Sequence, residues 1–196
     1  MPPNKGRKLP PELLTADDVR ALLAVCSTTA PTGRRNRALL AVLYRAGLRL
    51  EEALSLLPEG VDPDGGVLHV GRRGTGRVAG IDPGALALVE AWVEARSRLG
   101  LPDDAPLFCT LTGGPLHPAY VRQLLPRLAA KAGIDKRVHA QGLRHTHAAE
   151  LAAEGLPVEV IQAQLGHESL ASTDRYLKRI PRPDRIGALQ RRQWSP

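Results

Sequence analysis

Aromatic residues are few, with one Phe, three Tyr and two Trp making up 3% of 196 residues. Recognition of single strands by stacking bases on aromatic rings is therefore not expected. Cysteine is scarcer still: Cys26 and Cys109 alone give neither a disulfide framework nor a four-thiolate zinc site. No apolar run reaches the ~18–20 residues of a membrane span, which argues against a membrane protein. The start, Met1-Pro-Pro-Asn-Lys-Gly-Arg-Lys8, is not followed by a signal-peptide core. Lysine is sparse as well, at positions 5, 8, 131, 136 and 178 only. What remains is ordinary globular material, 43% hydrophobic and 24% charged, of a length that suits one domain. A soluble, cytoplasmic protein is the expectation.

Charge is unevenly placed. The chain has 27 Lys and Arg against 20 Asp and Glu, net +7. Residues 175–196 hold seven of the basic residues (Arg175, Lys178, Arg179, Arg182, Arg185, Arg191, Arg192) and only Asp184 against them, so that segment carries +6 of the excess. A terminus of this kind attracts a polyanion, and a duplex phosphate backbone fits better than a single strand; a merely solvated end is the alternative.

Periodicity gives the framework. Thr15-Ala-Asp-Asp18 resembles a capping start, and Val19, Leu22, Leu23 and Cys26 follow at i, i+3, i+4, i+7. After a break at Pro31-Thr-Gly33, a second helix is predicted over 34–46 with Leu39, Val42 and Leu43 inward, stopped by Gly47. A short helix from about Leu50 ends before Pro58. Val67–Val70 and Val78–Ile81 read as a hairpin whose turn, Gly71-Arg-Arg-Gly-Thr-Gly-Arg77, is basic and exposed. Pro83 opens a helix ending near Gly100, and 102–118 reads as a loop with one extended piece at 107–109. Helices follow at 118–132, 142–154, 157–165 and 169–178, with stops at Gly155 and Gly166. No repeat or dividing linker is visible. The expected fold is mainly α with a small antiparallel β-sheet (α+β): an irregular segment 1–12, a domain over 13–178 and a basic tail 179–196.

Three stretches place polar groups beside glycines that read as helix stops: Gly47-Leu-Arg49-Leu-Glu-Glu52, Gly142-Leu-Arg144-His145, and Leu165-Gly166-His167 followed by Tyr176. Two arginines and a histidine held at such corners can grip one phosphate, because a guanidinium is a planar, permanently charged fork that matches phosphate oxygens. Simple pairing of Arg49 and Arg144 with Glu52 and Glu150 is the alternative. Taken together and in this order, Gly47-Leu-Arg49-x-x-Glu52-x-Leu54, Gly142-Leu-Arg144-His145-Thr146 and Leu165-Gly166-His167 with Tyr176 nine residues on resemble the catalytic boxes of the tyrosine recombinases, the phage-integrase family. The resemblance runs from about Leu13 to Lys178.

That resemblance implies phosphoryl transfer on double-stranded DNA without metal or nucleotide cofactor. Tyr176 would attack a phosphodiester and leave a 3′-phosphotyrosine and a 5′-hydroxyl. Arg49 and Arg144 would clamp the non-bridging oxygens, His167 would add a hydrogen bond, and Glu52 would hold Arg49 or a neighbour in place. Arg73, Arg77, Arg175, Lys178 and Arg179 would contact DNA. Two positions depart from the family pattern. Arg72 stands where the hairpin usually offers a lysine as general acid, and an arginine with a pKa above ~12 does not give up its proton. Gln141 stands where a histidine is usual, three residues before Arg144; His139 would have to shift to replace it. The expectation is a site-specific recombinase with impaired cleavage, or a DNA-binding regulatory relative. About a dozen residues precede the domain, too few for the N-terminal helical domain that closes a clamp around DNA in most relatives. By the same resemblance the chain assembles on DNA as a synaptic tetramer, and Ile180, Ile186, Leu189 and Trp194 would dock the tail on a neighbouring subunit. Histidines 139, 145, 147 and 167 with Cys109 suggest a metal site, but the i, i+2 spacing of His145 and His147 points their rings apart on a helix. His145 and His147 are expected to pack beside Arg144.

Overall fold

Thr15 and Asp18 do close a capping box: the Asp18 N–H reaches the Thr15 hydroxyl at 3.1 Å, and the Thr15 N–H reaches the Asp18 carboxylate at 2.7 Å. They start α1 (Ala16–Ala24) in the computed structural model, which describes residues 12–71, 76–167 and 169. Pro31 is not a break. It is the first residue of α2 (Pro31–Tyr44), where its missing N–H has no intrahelical partner to lose. Leu39, Leu40, Ala41, Val42 and Leu43 are all buried, so the C-terminal half of α2 is apolar on every side and runs through the centre, while its first half carries Arg34, Arg35, Asn36 and Arg37. Against it pack α4 (Pro83–Arg98) and α6 (Ala140–Ala153).

Between α2 and α4 come α3 (Leu50–Ser55), a 3₁₀ turn (Pro58–Gly60) and three short strands, β1 (Val61–Asp62), β2 (Val67–Val70) and β3 (Arg77–Gly80). They form an antiparallel meander in the order β1-β2-β3, with Leu68 opposite Ala79 and Val70 opposite Arg77. The hairpin is the one anticipated, but β1 is an addition. A two-residue strand carries no alternation to read. Arg77, expected in the exposed turn, lies inside β3 instead. Of the extended piece expected at 107–109, only Cys109 forms a bridge, to Pro115, and Leu107 and Phe108 lie in a bend. Next comes α5 (Pro118–Lys131), and α7 (Val158–Leu165) follows α6. The helix predicted at 169–178 and the tail 179–196 lie outside the described residues, apart from Ser169.

Apolar burial falls into two clusters. The larger is built on α1–α5 and the sheet, and its fully buried large side chains include Leu22, Leu43, Leu48, Trp92 and Phe108. The Trp92 indole N–H also donates to the Leu107 carbonyl at 2.7 Å, which fixes the loop after α4. The smaller cluster joins α6 to α7 through Ala148, Ala149, Ile161 and Leu165, flanked by Leu13, Leu151 and Leu156. On its other side α7 lies against β3. No described helix is long and apolar enough to cross a membrane.

Candidate active site

The chain leaves α2 through Gly47, whose φ of +62° suits a residue without a Cβ. A Cβ there would also sit 2.5 Å from the His147 ring, so the turn rests directly on that imidazole. Two residues later Arg49 forms the N-cap of α3. The Glu52 carboxylate reaches back to the Arg49 backbone N–H at 2.6 Å, as a third-position acid commonly does at a helix start. Gly142, by contrast, is no helix stop. It lies in the first turn of α6, where the His139 Nδ1 accepts its N–H at 3.0 Å, so Arg144 projects from regular helix. Gly166 is the stop expected, with φ +62° at the end of α7.

These three places converge. The last carbonyls of α7 are those a helix leaves without intrahelical partners, and they lie at the negative end of its dipole. Each of three successive ones takes a guanidinium. Arg77 Nη1 donates to the Gln164 carbonyl at 2.6 Å, Arg144 Nη2 to that of Leu165 at 2.6 Å, and Arg49 Nη2 to that of Gly166 at 2.9 Å. Arg144 also donates to the Gly47 carbonyl at 2.6 Å, which ties the α2 turn to the α7 end. A side chain on Gly166 would collide with Arg77, which crosses that residue closely.

Glu52 is the counter-charge. Its Oε1 accepts from Arg49 Nη1 at 2.9 Å and Arg77 Nε at 3.1 Å, its Oε2 from Arg77 Nη2 at 2.9 Å, and Arg144 Nη1 lies 3.8 Å away. Burial pushes this carboxyl up, but the hydrogen bonds from Arg77 and from the Arg49 backbone, with both positive charges, outweigh burial and hold it below the ordinary carboxylate value. Three cations on one anion leave an electropositive corner. His167 stands at its edge, immediately past Gly166. Burial first, then the charges of Arg144, Arg49 and Arg77, bring its pKa down to about 4 against the pull of Glu52. At neutral pH it is therefore an uncharged imidazole, with one N–H to donate and one nitrogen to accept. The Gln162 side chain donates to the His167 carbonyl at 2.9 Å and steadies that turn.

Arg49, Glu52, Arg144 and His167, named from sequence, are thus brought together. Arg77 joins them as a strap inside the cluster. Gln141 is exposed in the first turn of α6 and makes no hydrogen bond to the cluster among the described residues. Arg72, Arg73, Arg175, Tyr176, Lys178 and Arg179 lie outside the described residues. Glu150, offered as a partner for Arg144, instead accepts from Tyr44 at 2.6 Å and from Arg45 at 3.1 Å. His145 is half-buried and His147 is buried; burial is the main cause that lowers both to about 4. No three His, Cys, Asp or Glu among the described residues are grouped to hold a metal ion. Sequence reading missed Gln164, whose side-chain amide bonds to Ala46 and Gly80. A glutamine on a short helix reads as solvent-facing, and no pattern singled it out.

Comparison with known proteins gives the family and the fold. The chain is 34% identical over 177 residues to tyrosine recombinase XerC of Alcanivorax borkumensis, covering 89% of this chain and 57% of that protein. It is 36% identical over 185 residues to tyrosine recombinase XerD of Xanthomonas axonopodis pv. citri, covering 89% and 60%. It therefore spans about three-fifths of the length of these curated relatives. Among solved structures, the XerA recombinase superposes with a TM-score of 0.79 at 24% identity, over 99% of this chain and 68% of that one. XerH bound to its difH substrate after cleavage gives 0.71 at 22%, over 87% and 50%. A lambda integrase tetramer bound to a Holliday junction gives 0.62 at 18%, over 97% and 52%. These structural likenesses establish the shared fold. The sequence profile of the phage integrase family matches residues 12–181, and with it the chain belongs to that family of tyrosine recombinases.

Proposed function

We propose that this chain is the catalytic domain of a site-specific DNA recombinase, cutting and rejoining duplex DNA through Tyr176. The observation that carries the reading is the meeting of Arg49, Arg144 and His167 around the end of α7, with Glu52 and Arg77 fixing the guanidiniums. Bonds to the Gly47 and Leu165 carbonyls occupy two of the five N–H groups of Arg144. They lock the fork in place before substrate arrives, so little reorganisation is needed as charge builds on the phosphoryl oxygens.

In this mechanism the scissile phosphate is held by Arg49 and Arg144 with a hydrogen bond from His167. The Tyr176 oxygen forms a bond to phosphorus as its proton leaves, and the bond to the 5′-oxygen breaks. The departing oxygen takes up a proton to become a hydroxyl. Reversal with a different 5′-hydroxyl rejoins the strand and regenerates the phenol. Arg73, Arg175, Lys178 and Arg179 hold the DNA backbone. The tetramer bound to a junction in the lambda integrase structure supports a tetramer on DNA for this chain.

Proton transfer is the weak step. Arg72 stays protonated, Gln141 carries no titratable proton, and His139 spends its Nδ1 capping α6 rather than replacing Gln141. This favours slow cleavage, and in the limit a DNA-binding regulatory relative. A duplex nicked beside the scissile phosphate traps the covalent adduct and tests the reading. Adduct should form slowly and be absent in Tyr176→Phe, and Arg144→Ala should slow it ~10²–10³-fold. Restoring both proton carriers, Arg72→Lys with Gln141→His, should raise the rate, up to the ~10²–10⁴-fold typical of general acid–base catalysis. Tight duplex binding with no adduct in either form would leave the regulatory reading.

A further inference from the structure

We propose that Gln164 is a positioning residue of the recombinase site: its amide clips the end of α7 to the edge of β3 and to the end of α2, and thereby holds the carbonyl row that orders Arg77, Arg144 and Arg49. The Gln164 Nε2 donates to the Gly80 carbonyl at 2.8 Å and to the Ala46 carbonyl at 3.1 Å, and its Oε1 accepts the Gly80 N–H at 2.9 Å. Gly80 lies in β3, the edge strand, and both of its backbone groups are met by one side chain. A primary amide reproduces the donor and acceptor of a peptide unit, so Gln164 stands in for one residue of a further strand. Its second N–H reaches Ala46, one residue before the Gly47 turn that leads to Arg49.

The clip matters because α7 has little apolar packing, and the guanidiniums that bind its last carbonyls are the groups it has to position. It is eight residues long, too short to be stable alone, and it buries only Ile161 and Leu165. Apolar packing resists withdrawal of the helix but specifies its rotation and slide loosely. Three directional bonds to two separate elements specify both. The residue type is also demanded: a glutamate offers no donor and would set a carboxylate against two carbonyl oxygens, and leucine or methionine fills the space without bonding. Arg77 binds the Gln164 carbonyl while the Gln164 side chain binds Gly80, three residues further along the same strand. The two contacts fasten both ends of β3 to Gln164 at the C-terminal end of α7.

The inference rests on the recombinase reading, but its test does not depend on cleavage alone. In the full chain, Gln164→Leu, Gln164→Met and Gln164→Glu are compared by NMR titration of the His167 imidazole, by single-turnover adduct formation on the nicked duplex, and by duplex Kd. At least one variant should remain folded, and in it the His167 pKa should rise from about 4 toward 6.5 as α7 drifts, the imidazole gains water and the guanidiniums recede. The adduct rate should fall at least about tenfold while Kd changes less than about twofold, the mark of lost alignment rather than lost binding. A moved titration in a chain that forms no adduct even without substitution would support the clip and sink the recombinase reading. An unmoved titration, an unchanged adduct rate in an active chain, or failure of all three variants to fold would overturn the clip.

Discussion

Around α2 and α4 the chain is held by side chains that water does not reach, such as Leu43, Trp92 and Phe108; at the α6–α7 end, Ala148, Ala149, Ile161 and Leu165 make a much smaller apolar contact. The difference is made up with charge. Arg77, Arg144 and Arg49 each bind a carbonyl at the end of α7, and Glu52 collects all three. Apolar packing supplies most of the free energy that keeps a domain folded, but it is non-directional. Hydrogen-bonded guanidiniums contribute less net stability and much more orientation. The chain thus separates the two tasks in space, one end built to persist and the other built to point.

The largest expected effect breaks the first half of that contrast. Trp92→Ala removes a fully buried indole and its bond to Leu107, and should lower stability by about 3–5 kcal/mol, measured as the shift in urea midpoint at constant slope. Leu165→Ala is the matched test at the other end. Its side chain is also fully buried, but the apolar cluster around it is small and half of it is alanine, so fewer packing contacts are lost. The loss should therefore fall near the low end of the usual range, about 2 kcal/mol. Amide exchange should show the Leu165→Ala loss confined to α7, as a local opening, while Trp92→Ala lowers protection throughout. If Leu165→Ala destabilises every protected amide equally, the two clusters are one cooperative unit and the contrast fails.

The same division explains what could be read from sequence. Val19 and Leu22 announce α1 because burial imposes a 3.6-residue period, although Cys26, read on the same stripe, lies past the helix end at Ala24; Gly166 announces a helix end because its backbone conformation suits a residue without a Cβ. Arg49, Arg144 and His167 were legible through the boxes around them, as was Glu52. Arg77 was misplaced because a basic residue among glycines resembles a turn; only the pairing of Val70 with Arg77 shows the strand reaching that far. Pro31 was misread because proline both breaks helices and begins them. Gln164 was invisible for a deeper reason. Its role depends on two backbone segments more than eighty residues away in sequence, and nothing local requires an amide there.

The smallest effect at neutral pH probes the seam between the two ends. His147 is buried against Gly47, and neither of its ring nitrogens has a hydrogen-bond partner among the described residues. Burial, then the charges of Arg45 and Arg144, hold its pKa down to about 4, with Asp82 opposing. The folded value lies below the unfolded one of 6.5, so protonation favours the unfolded chain. Stability is complete above pH 6.5 and is lost as pH falls from there toward 4. His147→Phe keeps an aromatic ring on the Gly47 turn and removes that titration. At pH 7.5 its stability should match the parent within about 1 kcal/mol, since an unpaired polar ring is exchanged for an apolar one slightly larger. Between pH 7.5 and 5 the parent should lose about 1–2 kcal/mol more than the variant, because a proton excluded from the fold is bound by the unfolded chain. His145 and His167, also near 4, titrate in the same window, so the variant's curve should flatten without becoming level. Glu52 and Asp82, held low by their arginines, add their own losses only at lower pH, as the fold gives up carboxylates it needs ionised. Equal acid sensitivity in parent and variant would mean that the imidazole under Gly47 is already reached by water, and that the seam is looser than its packing indicates.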